Sequence, residues 1–203
     1  MKVLTGLITA LSIPLIILNL FGGIASGVWL AFLGDWAPIV VGILAIIFST
    51  WVLSFILMPS ILLMAPAALC AEKGKVFGFL FFGALGNLYA ISVITIWCCG
   101  VFIFFAKDAT TSNLIPRLIW SYGVAMAPWM YMAQKEQHAG GGGLGSEVPT
   151  FFAQLAFVVA VITMFFVELS MLQWIKVFVS IMLIGFAIQM TLAIFIQKEM
   201  SEA

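Results

Sequence analysis

The most recognisable chemical spacing in the chain lies in the stretch EQHAGGGGLGSEVP, residues 136–149. Four consecutive glycines, a fifth after Leu144 and then Ser146 invite comparison with a loop that binds nucleotide phosphates. Such a loop needs a lysine directly after its last glycine, then Ser or Thr, between a strand and a helix. Here Gly145 is followed by Ser146 and Glu147, so a carboxylate stands where phosphate charge would bind. The stretch predicts a flexible connector, with a hinge or docking segment as the alternative.

The sequence lacks the other side-chain sets that commonly carry catalysis. Its one histidine, His138, cannot build a three-ligand catalytic zinc site, and neither HExxH nor GxSxG occurs. The cysteines, Cys70, Cys98 and Cys99, have no metal-ligand spacing. No apolar segment contains the two carboxylates that an intramembrane aspartyl dyad would need. We therefore expect a protein that is not an enzyme, with no catalytic, cofactor-binding or metal-binding residues and no cofactor.

Composition shows which elements must position any functional side chain. The chain is 65% apolar, its mean hydropathy is +1.25, and only 8% of its residues are charged. A soluble domain carries about 25% charged residues, so a water-facing surface cannot be built from this supply. The net charge of zero gives no indication of a nucleic-acid partner. These values predict that the main partner of the chain is the lipid bilayer.

The long uncharged segments predict an all-α, polytopic helical integral membrane protein with about six transmembrane helices and one or two interfacial or re-entrant segments. The predicted spans are residues 3–20, 38–58, 76–105, 116–133, 149–169 and 175–197, in one domain covering residues 1–203, with a flexible Gly-rich loop at 134–148. The uncharged run 3–34 is too long for one upright helix, so residues 22–33 are expected to form the interfacial or re-entrant segment. Pro59 and Pro66 predict a kinked extension or an interfacial helix at 60–71. Five to seven spans are compatible with these features.

Basic residues near the span ends predict the orientation. With a cytoplasmic N-terminus, the inner side collects Lys2, Lys73, Lys75, Lys135 and Lys198, and the outer side collects Lys107, Arg117 and Lys176. This difference favours cytoplasmic N- and C-termini. The short loops suggest a bacterial inner membrane.

Polar side chains within or at the ends of the spans are the candidate pore or helix-packing residues, because such groups are expensive in lipid. They are Asn87, Arg117, Gln154, Glu168, Lys176, Ser180 and Thr191. Asn87 and Gln154 need hydrogen-bonding partners on other helices, and the same holds for Gln189. Arg117, one residue inside its span, is expected to extend to the interface or to meet lipid phosphate.

Charged and small residues mark the end of span five and one side of span six. Glu168 and Lys176 are expected either to pair across the short turn between them or to face water separately. At 100° per residue, Gln173, Lys176, Ser180, Ala187, Thr191 and Lys198 fall in one stripe. The stripe predicts either a wet pathway or a helix contact, and Ile184, at its centre, favours the contact.

Pairs of small residues four apart recur along the chain and are typical of helix association. They include Gly23 with Gly27, Gly74 with Gly78, and Ser121 with Ala125. The leading functional hypothesis is a non-enzymatic membrane subunit that associates through its helices, as a homo-oligomer or with other membrane or cytoplasmic subunits. The alternative is an oligomeric channel or passive permease for an ion or small solute, with anions favoured by Arg117 and Lys176.

Overall fold

A computed structural model describes residues 2–138, 144–167 and 170–202. Within these ranges the chain is helical apart from short turns, as the hydropathy of the sequence predicts. The elements are α1 (Lys2–Ile17), a π turn (Leu18–Gly22), α2 (Gly23–Phe32), α3 (Trp36–Glu72), α4 (Val76–Ala106), α5 (Leu114–His138), α6 (Leu144–Val167) and α7 (Met171–Glu202). The all-α membrane class is confirmed.

The first helical region continues where the sequence predicted a separate segment at 22–33. Helix α1 passes through the π turn directly into α2, so the prediction of an interfacial or re-entrant segment there was wrong. The glycines that suggested a break serve helix packing instead. A Cβ on Gly23 would lie 3.8 Å from the Gly123 Cα, and one on Gly27 would lie 3.1 Å from the Trp120 ring. These glycines let α2 approach α5 closely.

Helix α3 also continues through both of its prolines. The alternatives for residues 60–71 were a kinked extension and an interfacial helix, and the structure has an extension of α3, whose kink stays a prediction. Proline removes one helical hydrogen bond, and a neighbouring helix can compensate inside a membrane. On either side of Pro59, hydrogen bonds join α3 to α4: Ser60 Oγ donates to the Gly86 carbonyl oxygen at 2.9 Å, and Tyr89 OH donates to that of Ile56 at 2.9 Å.

Both ends of the predicted Gly-rich loop at 134–148 are helical. Helix α5 extends to His138 and α6 begins at Leu144, while residues 139–143 lie outside the described residues. Residues 133–137 read AQKEQ, and residues of these types favour a helix. Their propensity explains why α5 continues beyond its apolar segment.

Four helices of the described chain are long and apolar enough to cross a membrane: Ala10–Phe32, Trp36–Glu72, Val76–Ala106 and Met171–Leu192. Within α6, the described part Phe151–Thr163 is apolar as well. The protein is a multi-pass membrane protein, and a total of six crossings stays a prediction that also requires α5 and α6 to span. Large exposed side chains on these helices, such as Trp51 and Phe55, suit contact with lipid.

Helix α5 is central: α2, α3, α4 and α6 all pack against it. Its residues Leu118, Val124, Ala125 and Met126 are almost fully buried. Beside it, an aromatic cluster joins α4, α6 and α7: the Phe102 and Trp174 rings stack at 3.7 Å, and Phe157 meets Trp174 edge-on at 5.5 Å. The core therefore forms around the fifth helix, which also carries several polar contacts.

Candidate functional site

Arg117 forms an ion pair at one end of the bundle. Its Nε donates to Asp35 Oδ2 at 2.7 Å and its Nη2 donates to Oδ1 at 2.9 Å, which gives two parallel bonds to one carboxylate. Asn113 Nδ2 donates to the same Oδ2 at 2.8 Å. The side chains of Arg117 and Asp35 are 13% and 15% exposed. This arrangement ties the turn between α2 and α3 to the first turn of α5.

The ion pair changes the interpretation of Arg117. From the sequence, this arginine was expected to extend to the interface or to meet lipid phosphate, but its guanidinium binds Asp35 within the chain. A cation that is paired and mostly buried contributes little free positive charge to a pore mouth. Arg117 therefore lends no support to anion selection.

Trp120, one helical turn further along α5, fills a slot between two glycines. Its ring lies against Gly27 of α2, and a Cβ on Gly42 of α3 would collide with its Nε1. The same Nε1 donates to the Pro38 carbonyl oxygen at 2.9 Å. A glycine is needed on each side because any larger residue would fill the space of the indole.

A third polar contact lies deeper, where the π turn meets α5. Asn19 is 6% exposed, and its Nδ2 donates to the Tyr122 carbonyl oxygen at 3.2 Å. Tyr122 OH donates to the Leu15 carbonyl oxygen at 3.2 Å and lies 3.4 Å from Gln154 Oε1. Gln154, expected to need a partner on another helix, is thus in contact with α5 of its own chain.

Asn87 and Gln189 also find their partner inside the chain, and the partner is each other. Gln189 Nε2 on α7 donates to Asn87 Oδ1 on α4 at 2.9 Å. Asn87 Nδ2 donates to the Gly83 carbonyl oxygen, one turn earlier in α4, at 2.8 Å. The sequence indicated that both residues need interhelical bonds, and the structure provides one between them.

The stripe on the last helix faces outward. Gln173, Lys176, Ser180, Ala187 and Thr191 are all exposed, and the central Ile184 is 57% exposed. The opposite side of α7, with Trp174, Phe178, Met182 and Gln189, is buried. Ser180 and Thr191 donate to carbonyl oxygens one turn earlier in their own helix, both at 2.8 Å. In this chain the stripe is an outer surface and does not line an interior pathway.

Some sequence predictions fall on residues that the structure does not describe, among them the place of the Lys198 side chain in the α7 stripe. Glu168 lies outside the described residues, and so does its possible pairing with Lys176. Among the side chains that the structure describes, no group of three or more His, Cys, Asp or Glu could hold a metal ion.

The polar contacts of α5 thus fix the packing of the bundle, and the α7 stripe is the candidate functional surface. No family model, curated protein or solved structure matches this chain.

Sequence reasoning missed Asp35, Asn19 and Trp120, although two of them carried a signal. Asp35 is the one acidic residue in the first 71 residues, and an isolated charge between two spans has reason to pair. Asn19 is a polar side chain in an apolar run, like Asn87. Nothing in the sequence distinguishes Trp120 from a tryptophan at the membrane interface.

Proposed function

We propose that the protein is a non-enzymatic, polytopic membrane subunit that acts through helix–helix association, in a homo-oligomer or in a larger membrane complex. The observation that carries the proposal is the outer face of α7, defined by Lys176, Ser180, Ala187 and Thr191, all exposed. Small side chains let helix backbones approach closely, and hydroxyl groups can bond to a neighbouring helix. Apart from the central Ile184, which is 57% exposed, this face has the composition of a helix contact.

The outer face of α7 differs from that of α3. The outer face of α3 exposes Trp51, Phe55 and Leu62, with 71%, 68% and 68% of their surface accessible, as suits a face in contact with lipid. Small residues and hydroxyl groups give no advantage in contact with lipid, whereas they allow a second helix to approach closely and to form hydrogen bonds. We therefore assign α3 to lipid and α7 to a partner.

Polar residues elsewhere add nothing to the proposal. Asn87 bonds to Gln189, and Gln154 is in contact with Tyr122, so these side chains have partners within the chain. Gly23, Gly27 and many of the other small residues are likewise used in internal packing. Association therefore depends on α7 in this proposal.

The test substitutes the two hydroxyl residues of the α7 face. The double variant Ser180→Leu/Thr191→Leu should raise the dissociation constant of the complex about tenfold or more. Each interhelical hydrogen bond in a membrane contributes about 0.6 kcal/mol, and the larger side chains also block the close approach of the two helices. The measurement is chemical crosslinking in native membranes, followed by mass determination in mild detergent.

A matched control is available on α3. Ser54 is exposed and donates to the Thr50 carbonyl oxygen at 2.7 Å, the same kind of bond that Ser180 makes. Ser54→Leu should leave association unchanged. A wild-type chain that is strictly monomeric and crosslinks to no other protein would overturn the proposal.

The second candidate function is an oligomeric channel or passive permease for an ion or small solute, with anions favoured. It is supported by Lys176, an exposed cation near the start of the α7 face. Because Ser180 and Thr191 lie on the outside of the bundle, such a path would run between copies of the chain. Reconstituted liposomes test it: an anion flux lost in Lys176→Glu supports a channel, and no flux of any common ion or osmolyte refutes it.

We place the protein in a bacterial inner membrane with both termini in the cytoplasm, as the distribution of basic residues favours. A fluorescent protein that needs cytoplasmic folding, fused after Ala203, should fluoresce. The fusion would stay dark if the C-terminus were on the outer side.

A further inference from the structure

The π turn at Leu18–Gly22 interrupts an otherwise α-helical path from Lys2 to Phe32. Such turns are rare, at well under 1% of residues, and are frequent at functional sites. A wide turn contains one residue more than the α-helix on either side needs. The first membrane helix therefore carries an extra residue at this point.

The two parts of the helix are held to α5 in different ways. After the π turn, α2 is fixed by tight packing: a Cβ on Gly123 would lie 3.5 Å from the Gly23 Cα, and Gly27 lies against Trp120. The Asp35–Arg117 ion pair fixes its far end. This part cannot turn without breaking several contacts at once.

Before the π turn, where side chains are described from residue 10 onward, Tyr122 of α5 bonds to α1. Tyr122 OH donates to the carbonyl oxygen of Leu15, in the last turn of α1, at 3.2 Å. The Tyr122 carbonyl oxygen accepts from Asn19, inside the π turn, at 3.2 Å. Tyr122 thus bonds both to the end of α1 and to the π turn itself, and both bonds depend on the present rotation of α1.

Helix geometry gives the size of the movement that the extra residue permits. Each residue of an α-helix turns the chain by about 100° and advances it by about 1.5 Å. If the π turn became α-helical while α2 stayed in place, α1 would rotate by about 100° against α6. At each place where a residue of α1 now faces the bundle, the next residue in the sequence would then face it instead.

We propose that the π turn is a rotational switch in the first membrane helix, locked in the present position by the Asn19–Tyr122 hydrogen bond. Release of the lock turns Lys2–Ile17 and presents a different side of this helix to lipid or to a partner. The proposal does not depend on association through α7, so either can fail without the other.

The test locates the inner side of α1 with nitroxide spin labels. Single cysteines at positions 10–17 are labelled, in a chain whose native cysteines are replaced by alanine, and the accessibility of each label to oxygen dissolved in lipid is measured. In the present structure Ser12 and Leu15 are less exposed than Ile13 and Ile16, so the minima of accessibility should fall at positions 12 and 15.

The variant Asn19→Leu should move these minima by one residue, to positions 13 and 16. Deleting Leu18 in the Asn19→Leu background should move them back, because the α-helical path then has the right number of residues. General destabilisation would not be corrected by a deletion. The control Ser26→Ala removes a buried hydroxyl that bonds only to the Gly23 carbonyl oxygen of its own helix, and should leave the minima in place.

Unchanged minima in Asn19→Leu would overturn the proposal, as would minima that the deletion does not restore. If Asn19→Leu does not fold, Tyr122→Phe provides the second test. It removes the hydroxyl bond to Leu15 and keeps the ring, and it should shift part of the population by one residue. A single unshifted population in Tyr122→Phe would then refute the switch.

Discussion

Removing either partner of the Asp35–Arg117 ion pair should destabilise the folded protein. Arg117 makes two bonds to Asp35, at 2.7 and 2.9 Å, and the two side chains are 13% and 15% exposed. Exposed ion pairs contribute about 0–1 kcal/mol, and removing one partner of a fully buried pair costs about 3–5 kcal/mol. The present pair lies between these limits. We expect Asp35→Ala and Arg117→Ala each to cost about 2–3 kcal/mol.

A double-mutant cycle separates the ion pair from the other contacts of each side chain. The variant Asp35→Ala/Arg117→Ala should be little less stable than the worse single variant, because no unpaired charge is left. The resulting coupling free energy should be about 2 kcal/mol, or about 1 kcal/mol for each charge-assisted bond after partial solvation. Arg117→Lys should recover only part of it, since an ammonium group cannot form two parallel bonds.

The assay is reversible unfolding in mixed micelles, followed by tryptophan fluorescence. Where unfolding is thermal, 2 kcal/mol corresponds to about 4–8 °C in Tm for a chain of this size, by the scale for soluble domains. Lys107→Ala is the control, because Lys107 is exposed in the turn before α5. A coupling free energy below about 0.5 kcal/mol would show that the pair behaves as a surface contact and that our reasoning from its burial is wrong.

Two further predictions concern the packing of the helices. Asn87→Leu should lower the free energy of unfolding by about 1 kcal/mol. The double variant Asn87→Leu/Gln189→Leu should cost less than the sum of the two single variants, because neither amide is then left without its partner. A double-mutant cycle in the same unfolding assay measures the difference, and strictly additive free energies would contradict the prediction. Gly42→Ala should cost about 1–3 kcal/mol, since the added methyl group collides with Trp120. Its control Gly100→Ala, where a Cβ meets nothing within 4 Å, should be neutral or stabilising by up to about 1 kcal/mol. Equal effects at the two glycines would contradict the Trp120 slot.

The helical class could be predicted from the sequence because lipid leaves the backbone no other partner for its polar groups. The local breaks could not. A proline usually ends or kinks a helix, but on either side of Pro59 a hydrogen bond joins α3 to α4, one from Ser60 of α3 and one from Tyr89 of α4. The glycines after residue 21 usually end one as well, but they are packed against α5. In both places a tertiary contact overrides a local preference, and local patterns do not reveal tertiary contacts.

The candidate site was predictable in residue type but not in pairing. Asn87 and Gln189 stand out as polar residues in apolar segments, yet they are 102 positions apart, and no local pattern joins them. Arg117 was recognised, but its partner Asp35 is 82 positions away. The stripe on α7 was visible in the sequence as a periodicity, whereas its outward direction depends on how the whole helix packs.

The central position of α5 has a consequence for how the chain enters the membrane during synthesis. Leu114–His138 is not among the four helices of the described chain that are long and apolar enough to cross a bilayer by themselves. It emerges from the ribosome after α1–α4, and α2, α3 and α4 are helices that enclose it. We therefore expect the earlier helices to remain next to the insertion machinery and to pack against the fifth helix as it inserts. A nascent chain that lacks the helices before α5 should fail to insert α5 into the membrane. The α5 segment would then stay in the aqueous phase and be open to proteolysis.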